Sequence, residues 1–180
     1  VGIIGCGRIA DAHAIEIQKI RGCELVGTCD REILMAKQLA ERFQARHHFS
    51  DLNRFLDVAK PTVVHITTPP QSHFDLGMLC LEAGCHIYME KPFTVNAAEA
   101  EKLLGAAAQK GLKMTVGHNA QFSHAAMRMR ELIQGGFLGG GPVHMESIWC
   151  YPFTDLGYAK AILGDGNHWI RSLPGKYLQD

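Results

Sequence analysis

The chain has no net charge, no CxxC pair and no long apolar run, and each of these lacks excludes something. Its 180 residues carry 18 Lys+Arg against 18 Asp+Glu, with a pI near 7.3. No bulk field then gathers nucleic acid or an anionic membrane, so a partner must be recognised locally, and small ligands are favoured. The cysteines, at positions 6, 23, 29, 80, 85 and 150, form no Cys/His cluster of zinc spacing. No metal site is expected, and a reduced, cytoplasmic interior is the simplest setting. No apolar stretch approaches the ~20 residues that span a bilayer, and no signal peptide opens the chain. Neither a nucleic-acid nor a membrane partner is therefore expected. Internal repeats and low-complexity tracts are missing too. Val1 lies within an apolar segment with no preceding methionine, so the chain is expected to be a piece of a longer protein.

What is present is a rhythm. The apolar and aromatic fraction, 47%, is enough to bury a core. Six segments rich in Val, Ile, Leu and Thr read as buried strands: Val1 to Ile4, Glu24 to Cys29, Ala45 to Phe49, Thr62 to Thr67, Cys85 to Met89 and Leu112 to Val116. Between them apolar residues recur at helical spacing, as in Ala10, Ala14 and Ile17, in Ile33, Ala36, Ala40 and Phe43, or in Phe74, Met78 and Leu81. Asn96, with Glu99 three residues on and Gly111 after the last periodic position, brackets another helix. Strand and helix alternating through short connections predict an α/β fold, a doubly wound parallel sheet of Rossmann type over 1–118. Ligands then bind at the carboxyl ends of the strands. From 119 the rhythm changes. A helical stretch, His124 to Gln134, precedes a glycine-rich break, and Val143 to Tyr151 alternates as a strand. Residues 119–180 read as the start of a second, incomplete α/β domain that would hold substrate.

Gly5-Cys6-Gly7-Arg8-Ile9-Ala10 joins the first strand to the first helix. In such a turn Gly5 permits the tight bend, Gly7 lets the backbone approach a diphosphate, and Ala10 lets helix and strand pack closely. The free N–H groups at the helix start, those of Arg8 and Ile9, then face the phosphates along the helix dipole. Asp30 ends the second strand, where a carboxylate can accept both ribose hydroxyls. It should repel a 2′-phosphate, which favours NAD. Arg31 beside it could pair with that phosphate if the acid turned away, which leaves NADP open.

Two further motifs, Thr67-Thr68-Pro69-Pro70-Gln71-Ser72-His73 and Met89-Glu90-Lys91-Pro92-Phe93, follow the fourth and fifth strands. With the glycine turn, in this order, the chain from Val1 to about Met145 resembles the Gfo/Idh/MocA oxidoreductases. The resemblance implies a Rossmann domain followed by a larger α/β domain, with a sugar or polyol between them and a homo-oligomer in the full-length form. It implies that Lys91 contacts the substrate hydroxyl and assists proton transfer. Independently, a lysine at the carboxyl end of a parallel strand can stabilise charge on a reacting oxygen, the more so if burial or a neighbouring cation lowers its pKa. Glu90 is implied to support that turn and Pro92 to fix it. Thr67, Thr68, Pro69 and His73 correspond to the loop over the coenzyme's ribose and nicotinamide, and Asn119 to an asparagine near the nicotinamide. Gln121-Phe122 stands where relatives carry Arg-Phe, so an anionic substrate group would lose its partner. The run Pro174 to Asp180 looks like the approach to the family's Asp-x-x-x-His element, with Asp180 its acid and the histidine four residues beyond the end.

Other residues keep two readings. His118 is either a substrate contact or an ordinary half-buried histidine. Trp149, Tyr151 and Trp169 line a sugar site or belong to a core, and nothing in the spacing of His168 requires a proton carrier. His47 and His48 are adjacent in a strand and point apart, which argues against joint metal binding. The expected function is an NAD(P)-dependent dehydrogenase that moves hydride between nicotinamide and a sugar, polyol or related cyclic alcohol. The alternative is a non-catalytic, NAD(P)-sensing protein of the same fold.

Overall fold

The computed structural model describes residues 1–140, 151–152, 171–173 and 177–179. The chain divides into two compact units, Val1–His118 and Asn119–Asp180. In the first, the six apolar segments become β1 (Gly2–Ile4), β2 (Gly27–Cys29), β3 (His47–Phe49), β4 (Val63–Ile66), β5 (His86–Met89) and β6 (Met114–Val116). They form one sheet in the order β3-β2-β1-β4-β5-β6, with every pair parallel. The winding reverses between β1 and β4, the switch point at which such sheets open a crevice.

The crossovers are α1 (Arg8–Lys19), α2 (Ile33–Phe43), α3 (Leu52–Arg54) running into a π-helical turn at Phe55–Ala59, α4 (His73–Glu82) and α5 (Ala97–Gln109). Helices cover both faces because strand side chains alternate. Ile3 packs into a cluster with Ala10, Ala14 and Ile17 of α1 and Ala36 and Leu39 of α2. Its neighbour Ile4 joins the opposite cluster, with Phe55, Leu81, Met89 and Leu103. Burying each of these large side chains contributes roughly 1.5–3 kcal/mol. The α5 start follows the sequence signal: Asn96 Oδ1 accepts from the Glu99 N–H at 3.0 Å, and Asn96 Nδ2 donates to Glu99 Oε1 at 2.9 Å.

Two strands differ from the expectation that all six are buried. His47 and His48 of β3 and Thr115 of β6 are exposed. These strands take the two edges of the sheet, a position set by strand order rather than by composition. The five described cysteines, Cys6, Cys23, Cys29, Cys80 and Cys85, are free thiols. Among the described residues no group of His, Cys, Asp and Glu could hold a metal ion, and no helix is long and apolar enough to cross a membrane.

In the second unit a 3₁₀ turn, Asn119–Phe122, precedes α6 (His124–Gln134). Ser123 caps α6, its hydroxyl accepting from the Ala126 N–H at 3.3 Å. Among the described residues three short strands follow, β7 (Tyr151–Pro152), β8 (Arg171–Leu173) and β9 (Tyr177–Gln179), antiparallel in the order β7-β9-β8. Sequence periodicity did not point to β8 or β9. The alternation from 143 to 150, Trp149 included, lies outside the described residues, as do His168, Trp169 and Asp180.

Candidate functional site

Most of the chemistry-bearing residues singled out in the first unit stand at the carboxyl edge of the sheet, and the backbone fixes them there. Each strand's ladder continues one step past its end. The Gly5 N–H donates to the Cys29 carbonyl (2.8 Å), Asp30 to Phe49 (3.1 Å), Thr67 to Ile4 (2.8 Å), Glu90 to Ile66 (2.9 Å) and Gly117 to Met89 (2.8 Å). The glycine turn, the acid, the threonine loop and the Glu-Lys-Pro turn are therefore carried on one rigid edge.

Gly5 has φ +89°, and a Cβ on it would lie 2.6 Å from Thr68 Cγ2 and 2.8 Å from the Thr68 nitrogen. Only glycine fits both the conformation and the contact. At Gly7, by contrast, an added Cβ would meet nothing within 4 Å, so the space over the turn is open. Gly7 caps α1 without a side-chain bond, and the Ala10 N–H already reaches the Gly7 carbonyl at 3.0 Å. The N–H groups of exposed Arg8 and Ile9 meet no acceptor among the described residues. Open space beside orphan donors at a helix N-terminus fits a diphosphate.

Asp30 completes this corner. Its Oδ2 accepts from the Cys6 N–H at 2.7 Å and its Oδ1 from the Glu32 N–H at 2.9 Å, which leaves each oxygen capacity for one more donor. The carboxylate is thus pinned toward the glycine turn, while Arg31 is exposed. Burial pushes the neighbouring thiols of Cys6 and Cys29 up to about 12, helped by the charge of Asp30, so both act as inert filling.

On the other side of the switch point, buried Thr67 donates its hydroxyl to the Gly5 carbonyl at 2.5 Å, tying the two loops together. Thr68 Oγ1 accepts from Ser72 Oγ at 2.8 Å, and Pro69 is exposed at the loop's tip. His73, weighed as either a polar helix start or a coenzyme contact, is 0% exposed. Its Nδ1 lies 3.0 and 3.1 Å from the carbonyls of Pro92 and Phe93, and its Nε2 lies 2.9 Å from that of Thr68. All three partners only accept, and the ring, which donates through at least one nitrogen, lies between the threonine loop and the Glu-Lys-Pro turn.

In that turn the Lys91–Pro92 peptide is cis. Lys91 is exposed, so the burial considered for it from sequence is not found here. Glu90 Oε2 accepts from the Lys91 N–H at 3.1 Å, and its Oε1 lies 3.0 Å from His13 Nε2. Burial alone would raise the Glu90 pKa. The hydrogen bonds from His13 and the Lys91 amide, with the charges of His13 and Lys91, outweigh it and hold the carboxyl below its usual range. Sequence reasoning missed His13, His65 and Tyr88. A histidine between Ala10, Ala14 and Ile17 on a helix's apolar face is the signal that marks the first. Asn119 opens the second unit in its 3₁₀ turn and is exposed.

A six-stranded parallel sheet wound 3-2-1-4-5-6, with a glycine turn at β1 and an acid at β2, defines the dinucleotide-binding class of α/β proteins. The profile of the oxidoreductase family with NAD-binding Rossmann fold, Gfo/Idh/MocA, matches residues 1–118, and the chain belongs to that family. It is 31% identical over 140 residues to the D-glucoside 3-dehydrogenase of Escherichia coli, covering 77% of this chain and 40% of that protein. It is 32% identical over 152 residues to the UDP-N-acetylglucosamine 3-dehydrogenase of Acidithiobacillus ferrooxidans, covering 84% and 45%. The crystal structure of the WlbA dehydrogenase from Chromobacterium violaceum, with NADH and UDP-GlcNAcA, superposes with a TM-score of 0.71 at 27% identity, over 75% of this chain and 39% of that one. The chain thus spans less than half the length of these relatives.

Proposed function

We propose that this chain is the coenzyme-binding part of a dehydrogenase that moves a hydride between nicotinamide and a hydroxyl-bearing carbon of a sugar, polyol or related cyclic alcohol, with NAD as its coenzyme. The observation that carries the reading is the Asp30 carboxylate. Two backbone N–H groups hold it beside the orphan donors of α1, and both of its oxygens can still accept a ribose hydroxyl. The same pinning supports NAD over NADP, because an acid so held cannot turn aside to let Arg31 receive a 2′-phosphate. The substrate class follows the relatives, whose names specify a glucoside and a sugar nucleotide.

The coenzyme supplies the hydride chemistry when bound. The chain's residues supply placement: Gly5 and Gly7 shape the turn, and the Arg8 and Ile9 amides face the diphosphate. Thr67, Thr68, Pro69, His73 and Glu90 form the loops on the nicotinamide side. The Lys91 ammonium, exposed at the end of β5, would donate to the reacting oxygen as charge develops there. Asp180 is assigned by resemblance to the second group at the reacting centre, and 1–118 and 119–180 to coenzyme and substrate domains, with the full-length protein a homo-oligomer.

Calorimetric titration tests the reading. NAD should bind more tightly than NADP, and Asp30→Ala should weaken NAD by about 10–100-fold, the loss of one or two hydrogen bonds to a charged acceptor. Equal affinity for the two coenzymes, or an Asp30→Ala chain that binds NAD unchanged, would overturn it. In the full-length protein, Lys91→Met should abolish hydride exchange with a polyol panel while NAD affinity stays within about threefold.

A further inference from the structure

Behind the Lys91 turn lies a cluster that the coenzyme site does not absorb. His13 comes from α1, His65 from β4, and Tyr88 and Glu90 from β5 and its end. His13 Nε2 is 3.0 Å from Glu90 Oε1, and His13 Nδ1 is 2.8 Å from His65 Nδ1. The rings brace one another. His65 stacks on Tyr88 at 4.7 Å and 12°, and His13 stands edge-on to both, 5.1 Å from His65 and 5.2 Å from Tyr88. The His13 and Glu90 side chains are only 8% and 14% exposed. Gly117 at the end of β6 leaves the slot for the carboxylate, since a Cβ there would lie 2.9 Å from Glu90 Oε1.

Hydrogen-bond stoichiometry sets the direction at the carboxylate. A carboxylate only accepts, so His13 Nε2 carries a hydrogen. The His13–His65 bond at Nδ1 is donated by whichever ring carries the hydrogen there. The other carboxylate oxygen accepts from the Lys91 amide at 3.1 Å. His13 Nε2 and the Lys91 amide thus both donate to the Glu90 carboxylate, and His65 bonds to the other nitrogen of His13. The His13–Glu90 contact joins the helix whose first turn faces the diphosphate to the turn that presents the lysine.

We propose that His13 is a positioning residue: it holds Glu90 over the Lys91 amide and thereby ties the phosphate-facing helix to the lysine turn. The inference rests on the reading of Lys91 as the group at the reacting oxygen. Burial and the nearby His13 lower the His65 pKa to about 4, which agrees with a neutral ring there.

Histidine side-chain nitrogen NMR on the ¹⁵N-labelled chain tests the arrangement without any variant. His13 should carry a hydrogen on Nε2 at neutral pH, and an Nε2 without one overturns the proposal. Two variants then separate positioning from packing. His13→Leu fills the space without a donor, and should cut hydrogen-exchange protection of the Lys91 amide by about tenfold. His13→Gln keeps a side-chain N–H and should restore it. Protection unchanged in His13→Leu, or lost equally in both, overturns the proposal. None of these readouts needs turnover or coenzyme. If Lys91 proves to have no part in hydride transfer they still report the contact, and if they fail the NAD titration still stands.

Discussion

Gly5 shows how one residue can decide whether the site exists. A methyl group there must enter a left-handed φ and push within 3 Å of the Thr68 backbone, which cannot yield as a flexible side chain would. Gly5→Ala should therefore cost roughly 2–4 kcal/mol, seen as a lowered urea midpoint, whereas Gly7→Ala should leave stability nearly unchanged and weaken only NAD binding. The histidine cluster makes a second residue-scale prediction, in pH. Burial first, then His13, lowers His65 from its usual 6.5 to about 4. The unfolded chain thus binds a proton at this site, as pH falls through 6.5, before the folded chain does, so stability must fall between pH 6.5 and 4 and level off below. Glu90, also lowered, acts in the same sense: its contribution is present above the ordinary carboxylate pKa and is lost as pH falls through the folded value. Discounted for partial exposure, the His65 share is on the order of 2 kcal/mol. Urea unfolding from pH 7 to 4 should show it, and His65→Phe, which keeps a ring on Tyr88, should flatten that stretch of the profile.

At the scale of elements, what was legible in the sequence is what is local. The apolar segments marked all six parallel strands because each is bounded by glycine, polar turns or a helix start. The α5 cap was readable because Asn96 and Glu99 are three residues apart. Replacing Asn96 by Ala should cost about 1 kcal/mol, measurable as a drop in thermal midpoint, with little effect on coenzyme affinity. The exposure of β3 and β6 was not readable, since it depends on which strands end up at the edges. Nor was the π-helical turn, where the run Phe55-Leu56-Asp57-Val58-Ala59 has the composition of an ordinary helix. Its position is fixed by Phe55, fully buried between strands and turn. The His13 contacts were the least accessible, because their partners lie 52 and 77 residues away and only the folded sheet brings them together. The glycine turn, Asp30 and Lys91 could be named from sequence because each directly follows a strand, and parallel strands put all such positions on one edge.

For the whole molecule, the division at His118 carries the last prediction. The first unit has its own sheet, helices on both faces and two buried clusters. It also holds every residue assigned to the coenzyme except Asn119. A body of about 100–150 residues with a closed core is an independently folding size. A chain ending at His118 should therefore unfold in one cooperative transition and bind NAD within about threefold of the 180-residue chain, since it keeps the diphosphate and ribose contacts. Far-UV and near-UV circular dichroism with calorimetry would check both. If the shorter chain folds but binds NAD ten times more weakly or worse, residues after 118 hold the coenzyme, and the assignment of binding to residues of the first unit is wrong. If it does not fold, the second unit completes the first core, and the two units are one cooperative body despite their separate sheets.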